Sequence, residues 1–541
     1  MKMKKKVLAL LLCMSMATGA LAGCKGSTGG NSDLQTSASG GTSEQSEKNT
    51  GTAESAGDGK ENASAKDSIT IAIATDPGSM YPYDQLQGIG RGLWTPVYES
   101  LYEYSPETMT PQPVLVDSYE LSDDGLELTL HLKKGVLFHN GEEMKANDVI
   151  YSFNCIKNCN WKTNIGDIDF DNIKASDDYT VVIPYNTAQG PLLWQLCNLY
   201  VLNEKHMKEV GDERTFNTIG TGPFKWGEYS VGSEYKLERF DDYREPAKIR
   251  EIVMRIIPDS SVQMIELETG GIDMACSVSN ADIKKVQDDP NSPFTVTMGS
   301  YIGTYCINMN GSIDPYSRKA LKEAVAYAID KDTINEVVFS GQGVPSTNIY
   351  GIGVPVHEPK SGEELYNYDL EKAKAKLAEA GFPDGVTLEL YIRNSTMYTQ
   401  TGELLVNMLG QAGITLNINT VDAATQSNMM VAGESAMNLQ LLYTNGDPYI
   451  MLSGYKGSDY DPFGIGSGPE AEQLRKLVNE ALVIQDEEAR IDAYRKAMDV
   501  AYANLWTIPI MDIADIAVHR KEQKGYWISG PVYHYEDIYF E

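Results

Sequence analysis

The sequence predicts an α/β body with more than one hydrophobic core, and three observations carry that expectation. At 541 residues the chain exceeds a single typical core, and a prior of about 150 residues per domain points to three or four units, fewer if one is large. Runs of period-two apolar alternation, the mark of half-buried strands, recur between runs with helical spacing. That order suits helices flanking a mixed sheet. No period of about 20 to 50 residues repeats, which excludes a solenoid.

The chain opens with Lys2, Lys4, Lys5 and Lys6, an apolar run from Val7 to Leu12 and then small residues, the order of a secretory signal peptide. The run is too short for a transmembrane helix, which needs about 20 apolar residues. Leu21-Ala22-Gly23-Cys24 then resembles the bacterial lipobox. The resemblance implies cleavage just ahead of Cys24 and a lipid on that cysteine; the alternative is a plain secretory peptide with Cys24 an ordinary thiol. Each buried CH₂ of a lipid contributes about 0.8 kcal/mol, so several acyl chains anchor a protein to a membrane without crossing it. Residues 24–66 contain almost nothing large and apolar and cannot offset the entropy of ordering. As a random coil of 43 residues, this linker spans roughly 36 Å on average.

Lys and Arg total 45 against 76 Asp and Glu, a net charge of −31. Loss of a signal with four lysines and no acid leaves −35. Nucleic acid is thereby disfavoured as a partner, and an acidic surface more often reflects solubility than ligand choice. Five cysteines follow Cys24, at positions 155, 159, 197, 276 and 306; an odd number leaves at least one unpaired. Cys155 and Cys159 lack the second pair or nearby histidine of a zinc site, so buried or free thiols are expected. The six histidines, His131, His139, His206, His357, His519 and His534, show no ligand spacing. No metal or other cofactor is expected.

The folded body is expected to start with a strand at residues 68–74, where β-branched residues alternate, followed by a loop at Thr75-Asp76-Pro77-Gly78. Strict alternation from Leu126 to Leu132 marks a second strand, preceded by the turn Ser122-Asp123-Asp124-Gly125. Downstream, Asp314-Pro315 offers an N-cap and a proline at N1 for a helix with Leu321, Ala324, Val325 and Ala328 on one face. Asp369 caps a helix that stops at Gly381. A strand at 386–392, a helix at 398–411 and a strand at 414–421 then form a strand-helix-strand unit. Helices near 471–484 and 488–503 precede an apolar strand at 508–513.

Several blocks carry a family likeness in order. They are residues 121–125, 132–141 and 145–153, then Gly220-Thr221-Gly222-Pro223-Phe224, then Leu267-Glu268-Thr269-Gly270-Gly271-Ile272-Asp273, then Arg318-Lys319-Ala320 with Ala328-Ile329-Asp330-Lys331. Together they resemble the family 5 extracellular solute-binding proteins, the oligopeptide, dipeptide and nickel receptors of ABC importers. The resemblance implies a two-lobed periplasmic-binding-protein-like α/β fold of type II with an inserted subdomain. Lobe I would comprise residues 67–305 and 510–541, with the insertion at about 98–217, and lobe II residues 306–509. Hinge crossings are expected near 305–310 and 508–513.

No G-x-S-x-G elbow, H-E-x-x-H helix or phosphate-cradling G-x-x-x-x-G-K-[ST] loop occurs, so the chain is not expected to be an enzyme. Ser453-Gly454-Tyr455-Lys456 matches S-x-x-K but lacks a K-T-G partner. Function is sought in binding instead. Peptide-binding members carry an amine-binding aspartate in a Trp-x-x-Asp segment before an Asp-Pro; aligned on Asp447-Pro448, those positions here are Leu441 and Thr444. A neutral hydroxyl cannot replace a carboxylate facing an ammonium.

Arg393 falls within about one position of the carboxylate-binding arginine of dipeptide-type members, a role that suits a guanidinium; a solvated loop arginine is the other reading. Tyr443, Thr444, Asn445, Asp447, Tyr449, Asn308 and Asn348 complete the expected ligand-binding set. By family position Tyr301, Tyr305, Ser346, Thr347 and residues 76–84 are further cleft candidates.

The expected protein is thus a monomeric, lipid-anchored receptor on the outer side of the cell membrane. It captures a peptide-like solute and delivers it to an ABC permease and ATPase complex. The alternatives are an oligosaccharide or chelated nickel as solute, or a surface adhesion or sensing role without transport. Cys24→Ser is expected to shift the protein from the membrane to the soluble fraction on fractionation; full retention in membranes would refute the lipid tether.

Overall fold

The computed structural model describes residues 66–84, 91–159, 165–211, 215–362, 365–444, 448, 451–452, 454–455, 461–530 and 532–541. The expected signal peptide, Cys24 and the linker lie outside the described residues. From Ala63 to Glu541 the chain forms one compact unit.

Two large sheets organise this unit. The first has seven strands in the order Phe294–Met298, Ile516–Arg520, Met274–Ala275, Ser68–Ile73, Glu251–Ile256, Glu234–Arg239 and Phe224–Ser230. Ser68–Ile73 runs parallel to both of its neighbours. Its Ile69 and Ile71 are fully buried, as the alternation of β-branched residues predicts.

The second sheet has six strands, in the order Val344–Pro345, Thr507–Ile513, Gly303–Met309, Met437–Tyr443, Val386–Arg393 and Ile414–Val421. Val386–Arg393 and Ile414–Val421 pair in parallel along their whole length. Such a pair needs a crossover, which the helix Thr396–Gln411 supplies, burying Leu405, Met408 and Leu409 against the sheet. A four-stranded antiparallel sheet, Val116–Leu121, Glu127–Leu132, Thr180–Pro184 and Lys174–Asp177, builds the smaller subdomain with the helix Ala146–Lys157.

Local signals in the sequence translate into identifiable contacts. Asp369 caps the helix Leu370–Glu379 by accepting from Lys372 N, and Asp124 accepts from Leu126 N in the turn before Glu127–Leu132. In Gly220-Thr221-Gly222-Pro223-Phe224 the glycines permit a close backbone approach. A Cβ on Gly220 would stand 2.1 Å from Val97 O, and one on Gly222 2.5 Å from Pro96 O. The same segment locks His139, whose Nδ1 accepts from Gly220 N at 3.3 Å and whose Nε2–H donates to Gly222 O at 3.1 Å.

Two expectations shift. The helix expected to open at Asp314-Pro315 begins at Lys319, because the Asp314 carboxylate is held by the Arg318 guanidinium at 2.8 and 3.0 Å and does not cap it. Residues 305–309 and 508–513 lie within paired strands, with a bulge where Tyr305 and Cys306 face Met511 and Pro509. The chain passes between the two sheets at 299–302 and again at 514–515.

The helices Pro469–Ala481 and Glu487–Ala503 bury Leu474, Val478, Tyr494 and Met498 in the same core as the four-stranded subdomain. Gly190 N donates to Leu482 O at 2.8 Å at this junction, and a Cβ on Gly190 would meet Ile484 O at 2.2 Å.

Burial lowers the pKa of His139 from 6.5 to about 4. Above pH 6.5 both folded and unfolded chains leave it neutral. As pH falls from 6.5 towards 4 the unfolded chain takes up the proton and the folded chain does not, so stability declines across that window. The thermal midpoint of His139→Gln should therefore fall less steeply than that of the wild type between these pH values; parallel slopes would refute the assignment.

Candidate functional site

Arg393 closes the strand Val386–Arg393 at the end nearest the helix Ala423–Val431. Gln426, fully buried on that helix, accepts from Arg393 Nε at 3.0 Å. Its amide nitrogen donates to Tyr391 O and Leu439 O, each at 3.1 Å, on two adjacent strands. Gln426 thus pins the guanidinium by one edge, and among the described residues no protein acceptor takes Nη1 or Nη2. The guanidinium lies 5.8 Å from the centroid of the Tyr398 ring. A planar fork fixed at its base with its tips free is the geometry that grips a carboxylate bidentately.

Tyr443 ends the strand Met437–Tyr443 and is 39% exposed. Its hydroxyl donates to Asp515 Oδ1 at 3.2 Å, and Tyr533 also hydrogen-bonds this carboxylate. Asp515 sits in the second passage between the sheets, and its carbonyl accepts from Gly299 N at 2.9 Å in the first. Burial raises its pKa, and the two tyrosine hydroxyls act against that rise.

Asp512, three residues earlier in the chain, is a different case. It is fully buried, accepting from Thr304 Oγ1 and Ile352 N at 3.2 Å each, with Lys331 close by. Burial lifts its pKa to about 7.

Several expected ligand-binding residues are placed elsewhere. Thr444 is fully buried, and both its Oγ1 and its N donate to Ile302 O, at 3.2 and 3.3 Å. Its hydroxyl therefore ties the strand end to the first passage and offers nothing to a ligand. Asn308 is buried in the sheet, where Nδ2 donates to Thr507 Oγ1 at 2.7 Å and Oδ1 accepts from Gln440 Nε2.

Asn348 is likewise consumed, donating to Glu358 O at 2.7 Å and accepting from Ile349 N at 2.8 Å. Tyr305 is fully buried against Phe339 and Tyr398, and Ser346 is buried as well. Asp76 caps a turn, accepting from Gly232 N and Tyr235 Oη. Asn445, Asp447 and Tyr449 lie outside the described residues.

Of the expected set, Arg393 and Tyr443 keep free or partly exposed polar atoms, and they end neighbouring parallel strands of one sheet. Gln426 and Asp515 were not anticipated. Neither stands in a motif, and only the strand pairing Tyr391 with Asn438 and the return of the chain at 514–515 bring them to the site. Among the described residues no disulfide joins the cysteines, and no cluster of His, Cys, Asp or Glu has the geometry of a metal site.

Comparison with known proteins places this geometry in context. The family model for bacterial extracellular solute-binding proteins, family 5 (middle), matches residues 110–463. Heme-binding protein A of Haemophilus influenzae is 27% identical over 469 residues, covering 80% of this chain and 84% of that protein. The dipeptide-binding protein of Escherichia coli is 26% identical over 489 residues, covering 82% and 89% respectively. Among solved structures, the periplasmic binding protein DppA of Helicobacter pylori, in complex with the peptide STSA, superposes with a TM-score of 0.75 at 23% identity, covering 88% of this chain and 98% of that one.

Replacing Gln426 by Leu leaves Tyr391 O and Leu439 O without their buried donor. The expected cost is about 1–3 kcal/mol of stability, read as a lower denaturation midpoint at unchanged m-value; an unchanged midpoint would refute the role given to Gln426.

Proposed function

The chain belongs to the family 5 bacterial extracellular solute-binding proteins, and from that premise we propose that it is the lipid-anchored receptor for a peptide-like solute. Members of this family are substrate-binding proteins of ABC importers, receptors and not enzymes. Among the described residues no helix is long and apolar enough to cross a membrane. A lipid on Cys24 would hold the receptor beside its permease and raise their effective concentration without any new contact.

The observation that carries the peptide reading is Arg393. Its guanidinium is oriented by a buried amide and keeps Nη1 and Nη2 available. A carboxylate enclosed between lobes has to be paired, because an unpaired buried charge is costly. In this reading the solute's carboxylate meets Arg393, the two lobes shut around the solute on the passages at 299–302 and 514–515, and the permease reads the closed shape. The dipeptide-binding relative accords with a peptide, while a heme-binding relative matches at similar identity, so the peptide reading rests on Arg393. The receptor acts as a monomer, with the permease and ATPase as partners.

Native mass spectrometry of the purified full-length protein, followed by release of what travelled with it, tests the reading. A ladder of short peptides is expected; a sugar, a haem or a metal chelate in its place would overturn it. Arg393→Ala should weaken binding of the released peptides about 10- to 100-fold, the loss of a charge-assisted pair. Unchanged affinity would remove Arg393 from the site.

A further inference from the structure

The carboxylate of Asp515 has surroundings that the rest of the fold does not need. It lies at the point where the chain returns from the six-stranded sheet to the seven-stranded one. Tyr443 reaches it from the six-stranded sheet, and Tyr533 from the strand Val532–His534, whose ring packs beside Gly92. Cys276, just after the strand Met274–Ala275, is close enough for the Asp515 charge to raise the thiol pKa.

These four side chains share an unusual condition. Asp515, Cys276 and Tyr533 are each partly open to solvent and Tyr443 is exposed, yet burial raises the pKa of all four. Asp515 sits, partly open to solvent, in the short passage between the two sheets. No lysine, arginine or histidine among the described residues acts on its charge, and the two tyrosine hydroxyls are its polar partners. Asp512, by contrast, is fully buried and has Lys331 close by.

We propose that Asp515, between Tyr443 and Tyr533, receives the ammonium group of the solute held in the cleft. A carboxylate with free lone pairs, walled by electron-rich rings, is complementary to an alkylammonium through both charge-assisted hydrogen bonds and cation–π contact. The position at which peptide-binding relatives carry an amine-binding aspartate is here Thr444, whose hydroxyl is consumed by Ile302 O.

Asp515 supplies the missing negative charge from a different element. Arg393 and Tyr443 end neighbouring parallel strands of the same sheet, so the charges of Arg393 and Asp515 suit the two ends of a zwitterion. The identity of the solute as a peptide rests on the reading given above; the cation anchor does not.

Calorimetric titration of the full-length protein with trialanine, N-acetyl-trialanine and trialanine amide separates the two ends. Asp515→Asn should weaken trialanine and its amide about 10- to 100-fold and leave N-acetyl-trialanine unchanged. Arg393→Gln should weaken trialanine and the N-acetyl form and spare the amide. Equal loss of all three probes in Asp515→Asn, or no loss of any, would overturn the anchor.

Tyr443→Lys, at an exposed position, places a competing ammonium against Asp515 and should remove binding of the amine-bearing probes alone, a check that does not depend on Asp515→Asn folding. If the wild type binds none of the three, putrescine, a diamine without a carboxylate, replaces them. Putrescine binding lost in Asp515→Asn upholds the anchor while refuting the peptide reading, and no binding of putrescine refutes both.

Discussion

The chain goes from one sheet to the other and back through two passages only a few residues long, and the rest of the structure depends on that constraint. The outgoing strand Gly303–Met309 and the returning strand Thr507–Ile513 are neighbours in the six-stranded sheet. The passages next to them are joined by Gly299 N donating to Asp515 O. Because both crossings are bound side by side, the floor of the cleft is fixed, and any motion of one sheet relative to the other has to be absorbed within these few residues. Tyr443 and Asp515, side chains at this junction, belong to none of the hydrophobic cores.

Polar residues inside the six-stranded sheet are there to satisfy it. Gly303–Met309 is buried along its whole length, so Asn308 has no solvent-facing side and spends its amide on Thr507 and Gln440. Gln426 does the same for two strand carbonyls, and as a by-product orients Arg393. A buried polar group left unpaired costs more than a paired one returns, which is why such groups are consumed by the scaffold first. Among the described residues, the outer nitrogens of Arg393 take no protein acceptor and the Asp515 carboxylate is partly exposed, and the proposed binding draws on these two.

Much of the architecture was legible from local pattern. The alternation at 68–73 and 127–132, the strand-helix-strand unit at 386–421 and the Asp369 cap all reflect physics within a few residues of each other. Where the reading slipped, a distant or competing partner intervened. Asp314 was expected to cap a helix, but a guanidinium four residues on holds its carboxylate. Asn348 and Thr444 were expected in the cleft from their place in the family order, yet backbone groups at Glu358 and Ile302 claim their side chains.

By itself the sequence determined the α/β class, the family likeness, the strand end that carries Arg393 and the absence of an aspartate at position 444, because each follows from residue type and short-range spacing. The tertiary structure decided which polar side chains remain available. Availability depends on what lies across the sheet and across the passage, and Asp515 and Tyr443, 72 residues apart, meet only once both crossings are made.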